Sequence, residues 1–121
     1  MAAHDTKMTG DFKSKPATLA LAERIVALVK SLGQSEQEVK GQVSFAVKRK
    51  FLWMWTYGHM ADGTVYVTVC LDRKTDNQNY HDVKQISPKR WNHHVVMRSF
   101  EQIESQWFRQ LIKAGYDFGC H

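Results

Sequence analysis

Residues 47–59 read VKRKFLWMWTYGH, and their alternation decides the fold. Phe51, Trp53, Trp55 and Tyr57 take turns with Leu52, Met54 and Thr56. A period of two places successive side chains on opposite faces, which is the mark of a strand. Lys48, Arg49 and Lys50 stand directly before it, where a solvated hairpin turn belongs. The same stretch raises the functional question. Cations beside flat rings are what a nucleic-acid groove uses, and also what a hairpin with one buried face produces.

Working outward, Val43, Phe45 and Val47 alternate with Ser44 and Ala46 on the upstream side. Downstream, Asp62-Gly63 supplies the residues of a tight hairpin turn, and residues 64–71 are rich in Val, Tyr and Thr. The three runs read as a meander. A two-residue turn at Asp62-Gly63 pairs His59 with Tyr66, Tyr57 with Thr68 and Trp55 with Cys70. A turn at Arg49-Lys50 pairs Ala46 with Trp53 and Ser44 with Trp55. Residues directly opposite share a face. One face then carries Val43, Phe45, Val47, Leu52, Met54, Val65, Val67, Val69 and Leu71. The other carries Ser44, Ala46, Trp53, Trp55, Tyr57, His59, Tyr66, Thr68 and Cys70. The aliphatic face belongs under helices.

Those helices flank the meander. Pro16 suits a first helical position, with Ser14 near enough to help cap it. Leu21, Ile25, Leu28 and Leu32 recur at helical spacing, and Gly33 falls where a helix ends. Toward the other terminus, residues 72–90 are polar and read as a long connection. A strand follows over residues 91–97. Ser99 and Gln102 then have capping-box spacing, and Ile103, Trp107, Leu111 and Ile112 lie on one helical face ending near Gly115 or shortly after. The expectation is an α+β domain: an antiparallel sheet of about four strands with N- and C-terminal helices packed on one face. Residues 1–15 are polar and unpatterned and read as a mobile tail, leaving 16–121 as the domain.

The 121 residues suffice for one core without disulfides or metal. Two cysteines make no framework, and no apolar run reaches a membrane span or a signal peptide. The expected setting is the cytoplasm with both thiols reduced. A net charge of +5 permits weak attraction to polyanions.

The run VKGQVSFAVKRKFLWMW at 39–55 and the run PKRWNHHVVMRSFEQIESQWFRQLIKAGYD at 88–117 resemble a bacterial family known only as a domain of unknown function. That family shows a basic hairpin turn before an F-x-W-x-W strand, and a W-x-H-H strand leading to a helix that ends in A-Y. Here Gly115 stands between Ala114 and Tyr116, a departure from that ending. A more distant similarity is to the YjbR/MmcQ group of small α+β proteins. The resemblance implies a fold and no catalytic residues.

Three classes of function follow from the residues. In the first, a binding module uses the aromatic face, with Trp53, Trp55, Tyr57 and Tyr66 as anchors and His59, His93 or His94 as polar tips. A large aromatic patch calls for a small planar ligand or a homodimer partner, unless the 72–90 loop or the N-terminal tail covers it. In the second, Lys48, Arg49, Lys50, Lys89 and Arg90 contact the phosphates of nucleic acid without reading sequence. In the third, His59 and Cys70 form the centre of an enzyme, although no oxyanion loop, paired carboxylates or nucleotide-binding motif accompanies them. No cofactor is implied. Adjacent His93 and His94 point to opposite faces, and the His and Cys spacings match no zinc pattern.

Overall fold

The computed structural model describes residues 8–121. In chain order the elements are helices α1 (Gly10–Lys13) and α2 (Pro16–Lys30), strands β1 (Glu36–Val39), β2 (Val43–Ala46), β3 (Lys50–Trp55), β4 (Val65–Leu71), β5 (Asp82–Ser87) and β6 (Arg90–Met97), and helices α3 (Phe100–Glu104) and α4 (Gln106–Cys120). All strand pairs are antiparallel, in the order β1-β2-β3-β4-β6-β5. The α+β class holds, but the sheet has six strands rather than about four. The two extra strands are its edges. Their sequences, EQEV and DVKQIS, are mostly polar and partly or fully exposed. Edge strands bury little, so they carry no hydrophobic alternation from which to read them.

The helices join the aliphatic face in one core. Val43, Phe45, Leu52, Met54, Val65, Val67, Val69 and Leu71 are all buried there with Leu21, Ile25, Val29, Phe108, Leu111 and Ile112. Burying each such side chain stabilises the fold by about 1.5–3 kcal/mol before chain entropy is counted. Val47 stands at the margin of this core.

Both expected registers move by an even number of residues. Trp55 pairs with Tyr66 and Trp53 with Thr68, where Trp55 with Cys70 was expected. Ser44 pairs with Trp53, where Trp55 was expected. Even slips leave each of these paired side chains on its expected face, because the strand period is two. The first slip arises because Asp62-Gly63 is no two-residue hairpin. Strand β3 stops at Trp55, and a loop over 56–64 leads to β4. Gly63 has φ +110°, yet the Asp62 carboxylate turns away to the start of α2. It accepts from the Ala17 N–H at 3.1 Å, the Thr18 N–H at 2.8 Å and the Thr18 hydroxyl at 2.9 Å. Lys15, at the N-cap position, makes no side-chain cap, so a residue distant in sequence satisfies those orphan donors. Ser14 instead donates to the Asp11 carbonyl. The same bonds hold the Asp62 carboxyl below its ordinary range, the Thr18 N–H foremost.

A bulge sets the other hairpin. Phe45 faces Leu52 but Ala46 faces Lys50, which leaves Phe51 extra on β3. Phe51 therefore lies on the helix side with Leu52, and both are fully buried. Its ring sits against Gly115 and Gly119 of α4. A Cβ on Gly119 would come within 2.5 Å of Phe51 Cδ1, and one on Gly115 within 2.4 Å of Val69 Cγ1. Gly115 is thus a packing residue inside a helix that runs on to Cys120, past the expected end. The capping box at Ser99 and Gln102 is formed, but it starts only the short α3. Ser105 is extended, with ψ 150°, and α4 begins after it.

Part of the expected 1–15 tail is built into the domain. Residues 1–7 lie outside the described residues, while Met8 and Phe12 are buried in the core and the Lys15 ammonium donates to the Tyr57 carbonyl. Apolar Met8 and Phe12 are spaced one helical turn apart, too few for a periodic signal. No helix among the described residues is long and apolar enough to cross a membrane.

Candidate functional site

The face away from the helices is built by alternation. Ser44 on β2, Trp53 and Trp55 on β3, Tyr66, Thr68 and Cys70 on β4, and Asn92, His94 and Val96 on β6 follow one another across the sheet through the pairs Ser44–Trp53, Trp53–Thr68, Thr68–His94, Trp55–Tyr66, Tyr66–Val96 and Cys70–Asn92. Trp53 lies between two small residues, Ser44 and Thr68, which leaves room for its indole. Trp55 stacks on Tyr66, with ring centroids 5.9 Å apart and planes 17° apart. Tyr57 meets Tyr66 edge-on at 5.3 Å and lies 5.6 Å from His59. Such ring pairs add about 0.5–1.5 kcal/mol each beyond their burial. Tyr57 is 47% exposed, and it carries the aromatic series out into the 56–64 loop.

A shallow pocket opens in the middle of this face, lined by Gln42, Trp53, Trp55, Thr68, Asn92 and His94. His94 Nδ1 is 2.8 Å from the Thr68 hydroxyl. Burial pushes the His94 pKa down, partly offset by Asp82 on the neighbouring strand. Asn92 Oδ1 is out of solvent and has no hydrogen-bond partner in the protein. A buried carbonyl oxygen without a donor costs about 1–3 kcal/mol, a cost that a rotation of the side chain toward the pocket would relieve by meeting an incoming N–H or O–H.

The structure separates the two adjacent histidines. His93 faces the helices and is fully buried. Its Nε2 accepts from the Thr75 N–H at 3.1 Å, so the proton sits on Nδ1 and is donated to the Trp91 carbonyl at 3.1 Å. Tyr80 packs edge-on against it at 5.4 Å and bonds Thr75 through its hydroxyl at 2.9 Å. These contacts tie the segment after β4 to the helix side. The rest of the expected 72–90 loop is β5, which extends the sheet sideways. Neither part covers Trp53 and Trp55.

His59 and Cys70 are not brought together. The Trp55–Tyr66 pair lies at one end of β3 and β4, with His59 beyond it, while Cys70 lies four residues further along β4, about 13 Å away. Cys70 is buried, which raises its pKa, with Arg90 and Arg49 acting the other way. No group of three or more His, Cys, Asp or Glu among the described residues could hold a metal.

The cations gather at the opposite end of the sheet from Tyr57. Strands β3 and β6 both run antiparallel to β4, so Lys50 and Arg90 start at the same end. Lys48, Lys89 and Arg90 are exposed there. Lys50 pairs with Glu38 at 2.6 Å. Arg49 donates from Nε to the Phe118 carbonyl at 3.0 Å.

Gln42, Thr68 and Asn92 as pocket residues escaped the sequence reading. Asn92 enters through the β4–β6 pairing, a contact between distant segments that no local pattern announces.

Taken together, these features define a two-layer α+β domain with an aromatic sheet face turned away from the helices. The chain belongs to the family of the domain of unknown function DUF5655, which matches residues 8–119. No curated protein and no solved structure matches it.

Proposed function

We propose that the protein is a binding module whose aromatic sheet face takes a planar, nitrogen-bearing partner. The observation that carries this reading is the combination in one pocket of two indoles, Trp53 and Trp55, with an unpartnered acceptor, Asn92 Oδ1. The rings offer stacking surface, and the amide oxygen asks for a donor on the ligand's edge. Thr68 and His94 supply further polar contacts, and Tyr57, His59 and Tyr66 extend the platform. The reading includes no catalysis. It keeps the bacterial origin and the distant YjbR/MmcQ likeness that the motifs suggest, and a cytoplasmic setting in which Cys70 and Cys120 stay free thiols.

Quenching of tryptophan fluorescence by adenine, compared with purine, tests it. Adenine carries the exocyclic amino group and purine lacks it. Saturable quenching that is stronger for adenine, and lost in Trp55→Ala, is expected. Equal, non-saturating quenching by both would sink the proposal. A homodimer is the other occupant of this face, and sizing wild type beside Trp55→Glu distinguishes it: a dimer that Trp55→Glu splits replaces the ligand reading.

A second reading, sequence-independent nucleic-acid binding, is favoured by the gathering of Lys48, Arg49, Lys50, Lys89 and Arg90 at one end of the sheet. Lys50 is already paired with Glu38, and the Arg49 guanidinium is turned onto Phe118 at the end of α4, which leaves Lys48, Lys89 and Arg90 for phosphates.

A further inference from the structure

A second depression, separate from the aromatic face, opens where the β2–β3 turn meets the last turns of α4. Its volume is about 330 Å³, and its walls include Arg49, Asp72, Arg73, Gln110, Lys113 and Asp117. Gln110, Lys113, Ala114 and Asp117 stand at i, i+3, i+4 and i+7, so they form one stripe along the helix.

Among the described residues, three of the six arginines are ion-paired, and Arg49, like Arg90 and Arg98, is not. Arg24 and Arg109 pair with Glu104, and Arg73 pairs with Asp72 at 3.0 Å. No ion pair joins Arg49 or Lys113 to a carboxylate among the described residues. Neutral groups hold Arg49 instead. Its guanidinium carbon stands 3.5 Å over the Phe118 ring, and Nε donates to the Phe118 carbonyl. The turn beneath it is fastened by the Gly119 carbonyl, which accepts from the Lys48 N–H at 2.8 Å and the Arg49 N–H at 3.2 Å. Gly119 permits that approach because a side chain there would strike Phe51. The fork is therefore oriented in advance, its charge is uncompensated, and its terminal amino groups are left for a ligand. A guanidinium so placed binds planar or tetrahedral oxyanions with two parallel hydrogen bonds.

We propose that this cleft binds a phosphomonoester on a small hydroxylated molecule. Arg49, Arg73 and Lys113 meet the phosphate, and the Gln110 amide adds a donor. Asp72 and Asp117, on the same walls, repel a bare polyanion but accept hydrogen bonds from hydroxyls, which selects a phosphorylated polyol over inorganic phosphate. The site stands independently of the aromatic face.

Titrations of the full chain with glucose 6-phosphate, inorganic phosphate and glucose, followed by amide and arginine Nε–H shifts in NMR, test this. Glucose 6-phosphate is expected to give saturable shifts at Arg49, Arg73, Lys113 and Gly119, with weaker binding of inorganic phosphate and none of glucose. Arg49→Lys keeps the charge and loses the fork; it should weaken binding about tenfold, while Arg24→Lys and Trp55→Ala leave it unchanged. Shifts that stay linear with concentration, or an affinity that Arg49→Lys leaves intact, would overturn the assignment. Unchanged amide spectra of Arg49→Lys away from the cleft separate a lost contact from a lost fold.

Discussion

Replacing Gly115 by Ala should destabilise the protein, against the general rule for helices. In an open helix interior the change gains about 1 kcal/mol, because Ala is the better helix former. At this position the new methyl carbon would sit 2.4 Å from Val69 Cγ1, with Phe51 Cδ2 at 3.5 Å and the Phe51 carbonyl at 3.7 Å behind it. Val69 is β-branched, fully buried and in a central strand, so it cannot rotate out of the way. Relief requires α4 and the sheet to part by about an ångström, and overpacking of that kind costs about 1–3 kcal/mol. The net effect is then a loss of up to about 2 kcal/mol, or up to roughly 8 °C in Tm for a domain of this size. Val69→Ala alone should lose about 2 kcal/mol through its cavity. Together the two changes relieve each other: the double variant should be about 1–2 kcal/mol more stable than the sum predicts. Urea unfolding of all four proteins, with slopes compared, measures this. A Gly115→Ala variant at least as stable as wild type, or strict additivity with Val69→Ala, would refute the packing argument. Gly10→Ala is the control, since nothing lies within 4 Å of a Cβ there, and it should be neutral.

Three further outcomes are expected. Burial holds the His93 and His94 pKa values below the ordinary 6.5, so the unfolded chain binds more protons than the native one as pH falls through that range. Stability should therefore be full above about 6.5 and decline below it; His93→Gln should flatten part of that slope in urea midpoints taken across pH. Asp62→Ala should speed hydrogen exchange at the Ala17 and Thr18 amides and lower Tm. Because the Asp62 carboxyl is held below its ordinary 3.8, its contribution persists above that value and fades as pH drops further, and a variant with unchanged exchange would deny the cap. On the nucleic-acid reading, three free cations imply a slope near −2.7 in log affinity against log salt, roughly a 40-fold loss from about 50 to 200 mM; a flat titration with generic DNA removes that reading.

Local pattern carried much of this molecule. The period of two in FLWMW parted Leu52 and Met54 from Trp53 and Trp55, and the helical spacing of Leu21 and Ile25 supplied a cover for one side only. The aromatic face was therefore legible in the chain, even though both hairpin registers were misjudged, because each slip was even and parity sets the face. What local pattern could not carry were relations between distant segments. Asp62 looks like a turn residue and becomes the cap of α2, since the orphan N–H groups of Ala17 and Thr18 lie in reach only after folding. Gly115 looks like a helix end and becomes, with Gly119, the seat of Phe51. Strands β1 and β5 take their hydrogen bonds from a neighbour rather than from their own composition. Asn92 joins Trp53 in one pocket, and Arg49 meets Phe118, only where the sheet and α4 are assembled. Sequence determined which side chains share a face, because that depends on backbone geometry alone. Tertiary structure decided which of them meet, because pairing and packing join residues that the chain holds far apart.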